Sequence, residues 1–310
     1  MLLLQQMIVL FILMGIGFLC CKLGIITDEV SKKLSSIVVN IANPALVLTG
    51  CMGEGRIEGK QLLLIAVIIV LVYGALLVIA MVLPWLLGVP LESRGTYRVM
   101  TLFSNIGFMG FPVVAALYGN SALLYAALFT IPYNILIYTF GISALSKREG
   151  AQEEGGSWRD SFSIGRVLNV GVIACIVTIV IYLSGIRMPE FVRLTVTHLS
   201  NLTAPLSMMV IGSSLAAIRI GKLFTDSRLL LFSAVKLLVI PVAGMLLIRQ
   251  FVDDDVIRGV CMVVLATPVG SMTAMLAQQY DGDYEMASRG VALTTILSVA
   301  TMPIVSVIVG

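Results

Sequence analysis

Apolar runs of about 20 residues, the length that crosses a bilayer as a helix, recur from one end of this chain to the other. Because 59% of the 310 residues are hydrophobic and only 12% are charged, the composition lies outside that of soluble globular domains. The segments between the runs are short and leave no room for a water-soluble catalytic domain. The sequence therefore predicts an all-α, polytopic membrane protein.

The apolar runs predict ten membrane spans. Their predicted bounds are 5–25, 33–52, 61–86, 97–118, 122–145, 165–185, 191–217, 228–249, 257–279 and 286–309. The one sizeable hydrophilic segment, "SKREGAQEEGGSWRDS", lies between the fifth and sixth spans. It divides the chain into a first five-helix unit at 1–145, a cytoplasmic linker at 146–164 and a second five-helix unit at 165–310.

Basic residues are scattered over the short loops, so the net charge of +3 gives no sign of a nucleic-acid partner. Thirteen Lys and Arg residues lie in loops after odd-numbered spans, and six lie in loops after even-numbered spans. By the positive-inside rule, the odd loops face the cytoplasm and both termini face the outside of the cell (inner) membrane. Membrane lipid is then the expected surrounding of most of the chain.

Five spans per half is an odd number, so an internal repeat would be inverted in the membrane, as in many secondary transporters. The second and seventh spans carry "NIANP" at 40–44 and "NLTAP" at 201–205. The fourth and ninth carry "NIGFMG" at 105–110 and "PVGSMT" at 268–273, a match that needs a one-residue slip. Prolines also recur in spans three and eight and in spans five and ten. Chance recurrence is the alternative, but four matches in the same order favour an inverted repeat.

Glycine and proline inside the fourth and ninth spans predict interrupted helices, because proline removes a backbone donor and glycine has no side chain to hold the helix. We expect the chain to kink or unwind near Gly107, Gly110 and Pro112 in one half and near Pro268 and Gly270 in the other. In hydrocarbon such a break is tolerated only where protein or a wet cavity surrounds it. Paired breaks would present half-helix N-termini to an anionic or polar ligand. Close helix packing through small residues is the alternative.

Further residues complete the candidate substrate site. They are Asn105, Val269, Ser271 and Thr273, near the two breaks, and Asn43 of the second span. Lys236 is the one charged residue well inside a predicted span, and a charge at that depth marks function by default. Three roles are open for it: pairing with an anionic substrate, neutralising carbonyl ends of the interrupted helices, or snorkelling to the membrane surface.

Every Asp and Glu lies in a loop or at a span end, which argues against an intramembrane acid that exchanges protons or sodium. The sequence has no HExxH, CxxC, GxSxG or Walker loop, so it predicts no enzyme and no cofactor. The five cysteines lack metal-ligand spacing and are expected to be packing residues, with no metal site. The single histidine, His198, is expected to be structural.

Four segments of the chain resemble the auxin efflux carrier family of membrane transporters. They are "NIANPALVLTG", "SNIGFMGFPVVAALYG", "VKLLVIP" and "ATPVGSMTAMLAQQYDGD", and the resemblance covers essentially the whole chain. It implies ten helices in two inverted five-helix repeats, with interrupted helices four and nine crossing at the midplane. It also implies a scaffold of spans 1, 2, 6 and 7 that forms a homodimer, and a transport domain of spans 3–5 and 8–10 that moves as an elevator. In the plant members an asparagine at the position of Asn105 touches the substrate.

The resemblance further implies a secondary active transporter or facilitator for a small organic anion, a mono- or dicarboxylate such as malate or malonate. The linker is too short to copy the regulatory loop of the plant carriers, and the third span lacks their polar support site. A carboxylate of bacterial metabolism is therefore expected rather than auxin itself. Two alternatives stay open. One is a sodium-coupled symporter of the bile-acid type, with Ser271 and Thr273 among the sodium ligands, and the other is a membrane sensor that binds a ligand without moving it.

Overall fold

The computed structural model describes residues 2–52, 59–146, 170–186, 188–216, 223–280 and 282–309. Over these residues the chain is helical and forms no β-strand. The linker predicted at 146–164 lies outside the described residues, apart from its first residue.

Sixteen α-helices follow one another along the described chain. The first eight are α1 (Leu2–Lys22), α2 (Asp28–Ile37), α3 (Asn43–Thr49), α4 (Gly59–Leu86), α5 (Leu91–Leu102), α6 (Phe111–Tyr118), α7 (Leu123–Leu136) and α8 (Ile142–Ser146). The others are α9 (Val170–Ser184), α10 (Glu190–Ser200), α11 (Thr203–Ala216), α12 (Ser227–Ala234), α13 (Ile240–Ile248), α14 (Asp255–Ala266), α15 (Met272–Gln279) and α16 (Tyr284–Val309). Five-residue π-helical turns occupy Val38–Ala42, Ile106–Gly110, Ile137–Gly141 and Val235–Val239.

Five helices are long and apolar enough to cross a membrane, namely Leu4–Lys22, Gly59–Leu86, Glu190–Ala216, Ser227–Ile248 and Tyr284–Val309. A sixth is added if the bent pair around α7 and α8 forms one span. These helices confirm the prediction of an all-α, multi-pass membrane protein. The fourth and ninth predicted spans are not continuous helices of this length, because each is divided into shorter helices.

Large apolar side chains are exposed along the outside of the longest helices. Val70 on α4 is 71% exposed and Val307 on α16 is 85% exposed. A helix that presents such residues to its surroundings is stable where those surroundings are lipid tails. The most deeply buried large side chains include Phe103, Phe129 and Lys236, so the interior contains a charge as well as aromatic rings.

Three of the π-helical turns end two residues before a proline, at Pro44, Pro112 and Pro241. Proline has no N–H to offer the carbonyl four residues back. The N–H of the residue before the proline then bonds to the carbonyl five residues back instead of four, as Ile240 N–H does to the Val235 carbonyl. The helix widens by one residue at these prolines and continues.

Among the described residues, the most extensive contact between the two halves joins α1 and α11, the first and seventh predicted spans. Both helices place glycine at the contact: a Cβ on Gly17 would overlap the Met209 backbone, and a Cβ on Gly212 would overlap the Met14 carbonyl. Small residues that let helix backbones approach closely are the usual means of helix association in lipid. The halves are therefore joined by backbone packing in this region.

A polar cluster joins the first turns of α4, α7 and α14. Asp254 accepts hydrogen bonds through Oδ1 from the N–H groups of Val256 and Ile257, at 2.9 Å each, and so caps α14. Its Oδ2 accepts a hydrogen bond from Gln61 Nε2 on α4 at 2.9 Å. Tyr125 on α7 donates its hydroxyl to Gln61 Oε1 at 3.2 Å. The Asp254 carboxylate thus caps α14 and contacts α4 through Gln61. Gln61 in turn connects α4 to α7 through Tyr125.

A second polar cluster joins the first turns of α5, α12 and α16 in the same manner. Asp226 caps α12 through Oδ1, and its Oδ2 lies 3.5 Å from a guanidinium nitrogen of Arg289 on α16. Asp283 accepts a hydrogen bond from Met286 N–H through Oδ1. Its Oδ2 accepts a hydrogen bond from Ser93 Oγ on α5 at 2.7 Å. Each aspartate again serves its own helix with one oxygen and a neighbouring helix with the other.

Candidate functional site

The interruptions of the fourth and ninth predicted spans contact each other. The first gap, 103–105, separates α5 from the π-helical turn before α6, and the second gap, 267–271, separates α14 from α15. Ser104 and Val269 form an antiparallel β-bridge between the gaps. The two breaks therefore form one structural unit in the interior.

Backbone hydrogen bonds across the unit satisfy groups that the broken helices leave open. Asn105 N–H donates to the Pro268 carbonyl at 2.7 Å, and Gly270 N–H donates to the Phe103 carbonyl at 2.9 Å. An unpaired backbone group in a membrane interior is costly, and the great majority of buried ones are paired. Each break is thus stabilised by the other.

The first break lies earlier than the sequence predicts. Gly107 and Gly110 belong to a π-helical turn, and Pro112 occupies the first turn of α6. Proline is tolerated in a first turn because its missing N–H is not needed there, so these residues follow the break rather than form it. Asn105 provides the local reason for the true position: its Oδ1 accepts a hydrogen bond from Phe108 N–H at 3.3 Å and caps the helical turn that follows. Pro268 lies within the second gap.

Lys236 reaches the first break from the π-helical turn between α12 and α13. Its side chain is buried, with 1% exposed. Nζ donates hydrogen bonds to the Thr101 carbonyl and to Ser104 Oγ, both at 2.8 Å. In an unbroken helix the Thr101 carbonyl would accept the N–H of residue 105, but that N–H is bonded to Pro268. The ammonium therefore neutralises a free carbonyl at the C-terminal end of α5, where the helix dipole favours a positive charge.

These contacts distinguish between the three roles predicted for Lys236. Its contacts match the neutralisation of a carbonyl end, and its burial is incompatible with snorkelling. Sequence reasoning missed both acceptors, although Ser104 and Asn105 form a polar pair of the kind that begins a helix. No carboxylate of the described residues forms an ion pair with Lys236. The site consequently holds a basic amino group without a protein counter-charge in the described part of the chain.

Two side-chain amides near the first break have hydrogen-bonding atoms with no partner among the described residues. They are Asn105 Nδ2 and Asn43 Oδ1, and both atoms are buried. The Asn43 amide nitrogen lies 3.2 Å from the position that a Cβ on Gly107 would take. Asn43 of the second predicted span therefore lies beside the first break. Buried polar atoms are normally satisfied, so these atoms point to water or a polar ligand.

The substrate-site residues predicted around the second break lie in or beside the second gap, and Gly270 contacts the first break. Val269 is buried and its N–H donates to Thr294 Oγ1 at 3.1 Å, and a Cβ on Gly270 would lie 3.2 Å from the Ser104 carbonyl oxygen. Ser271 lies at the end of the gap. Thr273 is buried in the first turn of α15, and its Oγ1 has no partner in the described part of the chain.

Gly110 lies close to Thr267 of the second break. A Cβ added at Gly110 would lie 3.6 Å from the methyl carbon of Thr267. Most of the predicted residues are thus gathered around one pair of breaks. His198 is exposed on α10, a helix that contributes no residue to the paired breaks. This exposure gives no sign of a functional role for the histidine.

The fold and the paired breaks define a multi-pass membrane protein with a buried polar site. The chain matches the family model "Membrane transport protein" over residues 2–306. It is 24% identical over 320 residues to an uncharacterized transporter of Methanothermobacter thermautotrophicus, a match that covers 98% of this chain and 97% of that protein. It is 23% identical over 304 residues to an uncharacterized transporter of Methanocaldococcus jannaschii, covering 94% of each. The chain therefore belongs to this membrane transport family, the family of the auxin efflux carriers, which confirms the resemblance.

Proposed function

We propose that the protein moves a small organic anion, a mono- or dicarboxylate such as malate or malonate, across the cell membrane as a secondary active transporter or facilitator. The observation that carries this proposal is the buried amino group of Lys236, which has no carboxylate partner among the described residues. A buried ammonium attracts an anion strongly because little solvent screens it. Family membership supports transport as the activity but names no substrate.

The neighbouring groups suit a carboxylate. Asn105 Nδ2 is a buried donor without a partner among the described residues, and a carboxylate oxygen is an acceptor that would satisfy it. The helical turns after both breaks begin at the site, and helix N-termini carry partial positive charge. Two donors of different kinds and a fixed cation could therefore hold one carboxylate.

We infer that ten spans form two inverted five-helix repeats, with the fourth and ninth crossing near the membrane midplane and both termini outside. The two polar clusters support this arrangement. One joins the starts of spans three, five and nine, and the other joins the starts of spans eight, ten and four. Exchange of the halves, three for eight, five for ten and nine for four, converts the set of helix starts in one cluster into the set in the other. An inverted repeat predicts this correspondence, whereas chance recurrence of glycine and proline does not.

The same clusters bear on the mechanism. Their residues lie in spans 3–5 and 8–10 or immediately before them, and they tie those spans together at their N-terminal ends. Such ties favour movement of these spans as one transport domain past a scaffold of spans 1, 2, 6 and 7. We propose that this movement is an elevator and that the scaffold forms the homodimer contact.

The test combines binding and flux on purified protein. Malate, malonate and indole-acetate would be screened by thermal shift, because a ligand that binds only the folded state raises its apparent stability. Flux of a stabilising carboxylate would then be measured in proteoliposomes. We expect Asn105→Asp to keep the helix cap but to lower carboxylate affinity at least ~10-fold, because it replaces a donor worth about 1.5 kcal/mol or more by a repelling charge. Asn40→Ala, at an exposed asparagine, is the matched control.

Each outcome separates the candidate functions. Carboxylate flux in the wild type and its loss in Asn105→Asp would support the proposal. Flux that requires a sodium gradient would favour a bile-acid-type symporter, with Ser271 and Thr273 as ligand candidates. Binding without flux would favour a sensor. No stabilisation by any carboxylate, or equal effects of Asn105→Asp and Asn40→Ala, would contradict the proposed substrate site.

A further inference from the structure

The two oxygens that accept hydrogen bonds from Lys236 form an unusual pair of ligands. One is the backbone carbonyl of Thr101 at the C-terminal end of α5, and the other is the hydroxyl of Ser104 in the break. Carbonyl oxygens at unwound helix ends are the groups that coordinate Na⁺ in transporters with discontinuous helices. A hard monovalent cation and an ammonium are therefore suited to the same oxygens.

We propose that Lys236 is a built-in substitute for a coupling cation: its ammonium occupies an alkali-cation position at the break, so that the carrier works without sodium. This inference rests on the proposed function and deepens it, since it states which cation balances the charge of the bound anion at the same site. Besides attracting the anion, Lys236 positions the Thr101 carbonyl and Ser104, which shape the break.

The backbone around Lys236 keeps the ammonium in place. Pro241 lies five residues further on, and the π-helical turn Val235–Val239 that precedes this proline carries Lys236. The side chain is buried and its Nζ is held by two hydrogen bonds. A free ion would have to be taken up in every cycle, whereas this cation stays with the protein.

The fixed charge has a consequence for the energy of crossing the membrane. With a bound monocarboxylate, the charge of Lys236 is balanced and the loaded site is neutral, whereas a fully ionised dicarboxylate such as malonate gives the loaded site one net negative charge. Without the anion, the site carries one net positive charge among the described residues. A charge that crosses a membrane potential changes energy by about 2.3 kcal/mol per 100 mV. With a monocarboxylate substrate, the return of the empty carrier, rather than an accompanying ion, is therefore the step that senses the potential.

The test removes the ammonium and offers cations in its place. In Lys236→Ala the missing atoms correspond to propylammonium, so the vacated oxygens can take propylammonium, Na⁺ or K⁺. Thermal unfolding would be followed in the chloride salts of these cations and of N-methylglucamine, at equal ionic strength. We expect Lys236→Ala to be less stable in N-methylglucamine and to regain stability in a saturable manner with at least one small cation.

Three further proteins serve as controls. The wild type and Lys32→Ala, at an exposed lysine, should show no cation preference. Lys236→Met fills the vacated space with an apolar side chain and should stay destabilised in every salt. In proteoliposomes, wild-type malonate flux should be equal in Na⁺, K⁺ and N-methylglucamine, and flux of Lys236→Ala should rise at least ~10-fold with the rescuing cation.

The outcomes distinguish this inference from the proposed substrate. Cation rescue of Lys236→Ala in a protein that binds no carboxylate would support the cation position and contradict the substrate. Carboxylate flux that needs Na⁺ in the wild type would overturn the inference and leave the substrate proposal standing. Equal responses of Lys236→Ala and Lys236→Met, or failure of Lys236→Ala to fold in any of the salts, would overturn the inference as well.

Discussion

Replacement of Gly270 by alanine is expected to weaken the paired breaks and destabilise the protein. The new Cβ would lie 3.2 Å from the Ser104 carbonyl oxygen and 3.2 Å from the Tyr133 hydroxyl oxygen. Because one of these obstacles is backbone, relief requires the breaks to separate, which weakens the Gly270 N–H bond to the Phe103 carbonyl. One hydrogen bond of about 1 kcal/mol and overpacking of about 1–3 kcal/mol give a loss of about 2–4 kcal/mol in the free energy of unfolding.

Gly110 is the matched control, since it belongs to the corresponding motif in the first half. An alanine there would meet its nearest atoms at 3.6 Å, which is ordinary van der Waals contact. Gly110 also lies in a helical turn, where alanine is more favourable than glycine by about 1 kcal/mol. We therefore expect Gly110→Ala to leave the free energy of unfolding unchanged or to raise it by up to about 1 kcal/mol.

The measurement is equilibrium unfolding of both purified variants in detergent micelles with added SDS, alongside carboxylate flux in proteoliposomes. Gly270→Ala should lose stability and flux together, and Gly110→Ala should retain both. Equal losses in the two variants would show that the motifs need glycine for flexibility in general. Wild-type stability of Gly270→Ala would refute the close approach of Gly270 to the Ser104 carbonyl on which the reasoning depends.

The other predictions concern packing and helix ends. Gly17→Ala should destabilise the protein because its Cβ would overlap the backbone of α11, whereas Gly15→Ala, with nothing within 4 Å, should be neutral in the same unfolding assay. Asp254→Ala should lower the free energy of unfolding by about 2 kcal/mol, from a lost cap and a lost hydrogen bond to Gln61, and Asp253→Ala, at an exposed neighbour, should change it by less than about 0.5 kcal/mol. Equal effects within either pair would contradict the corresponding contact.

The membrane class and the second break could be predicted from the sequence because their causes are local. A run of about 20 apolar residues is by itself sufficient to favour a membrane-spanning helix. Pro268 lacks a backbone N–H donor whatever its surroundings are. The sequence predicts the first break a few residues after its position in the structure, because glycine and proline, as at Gly107, Gly110 and Pro112, are residue types that commonly break helices. Their effect depends on position: a proline in a first turn and glycines in a widened turn leave the helix intact.

The partner of Lys236 could not be predicted from the sequence. Its charge and depth identify it as a functional candidate, but the Thr101 carbonyl that it contacts lies 135 residues away along the chain. A carbonyl carries no residue signature, and this one is free only because the break diverts the N–H of Asn105 to Pro268. Tertiary pairing creates the acceptor, so local patterns give no information about it.

The mutual dependence of the two breaks limits how the carrier can move. Separation of the breaks would leave the N–H groups of Asn105 and Gly270 and the carbonyls of Phe103 and Pro268 without their present partners. Each such group costs several kcal/mol if hydrocarbon rather than water or protein surrounds it. A rocking motion that opened the site between the two halves would have to meet this cost in every cycle. A motion that carries both breaks together would not, so we expect the paired breaks, with Lys236 attached, to travel as one body.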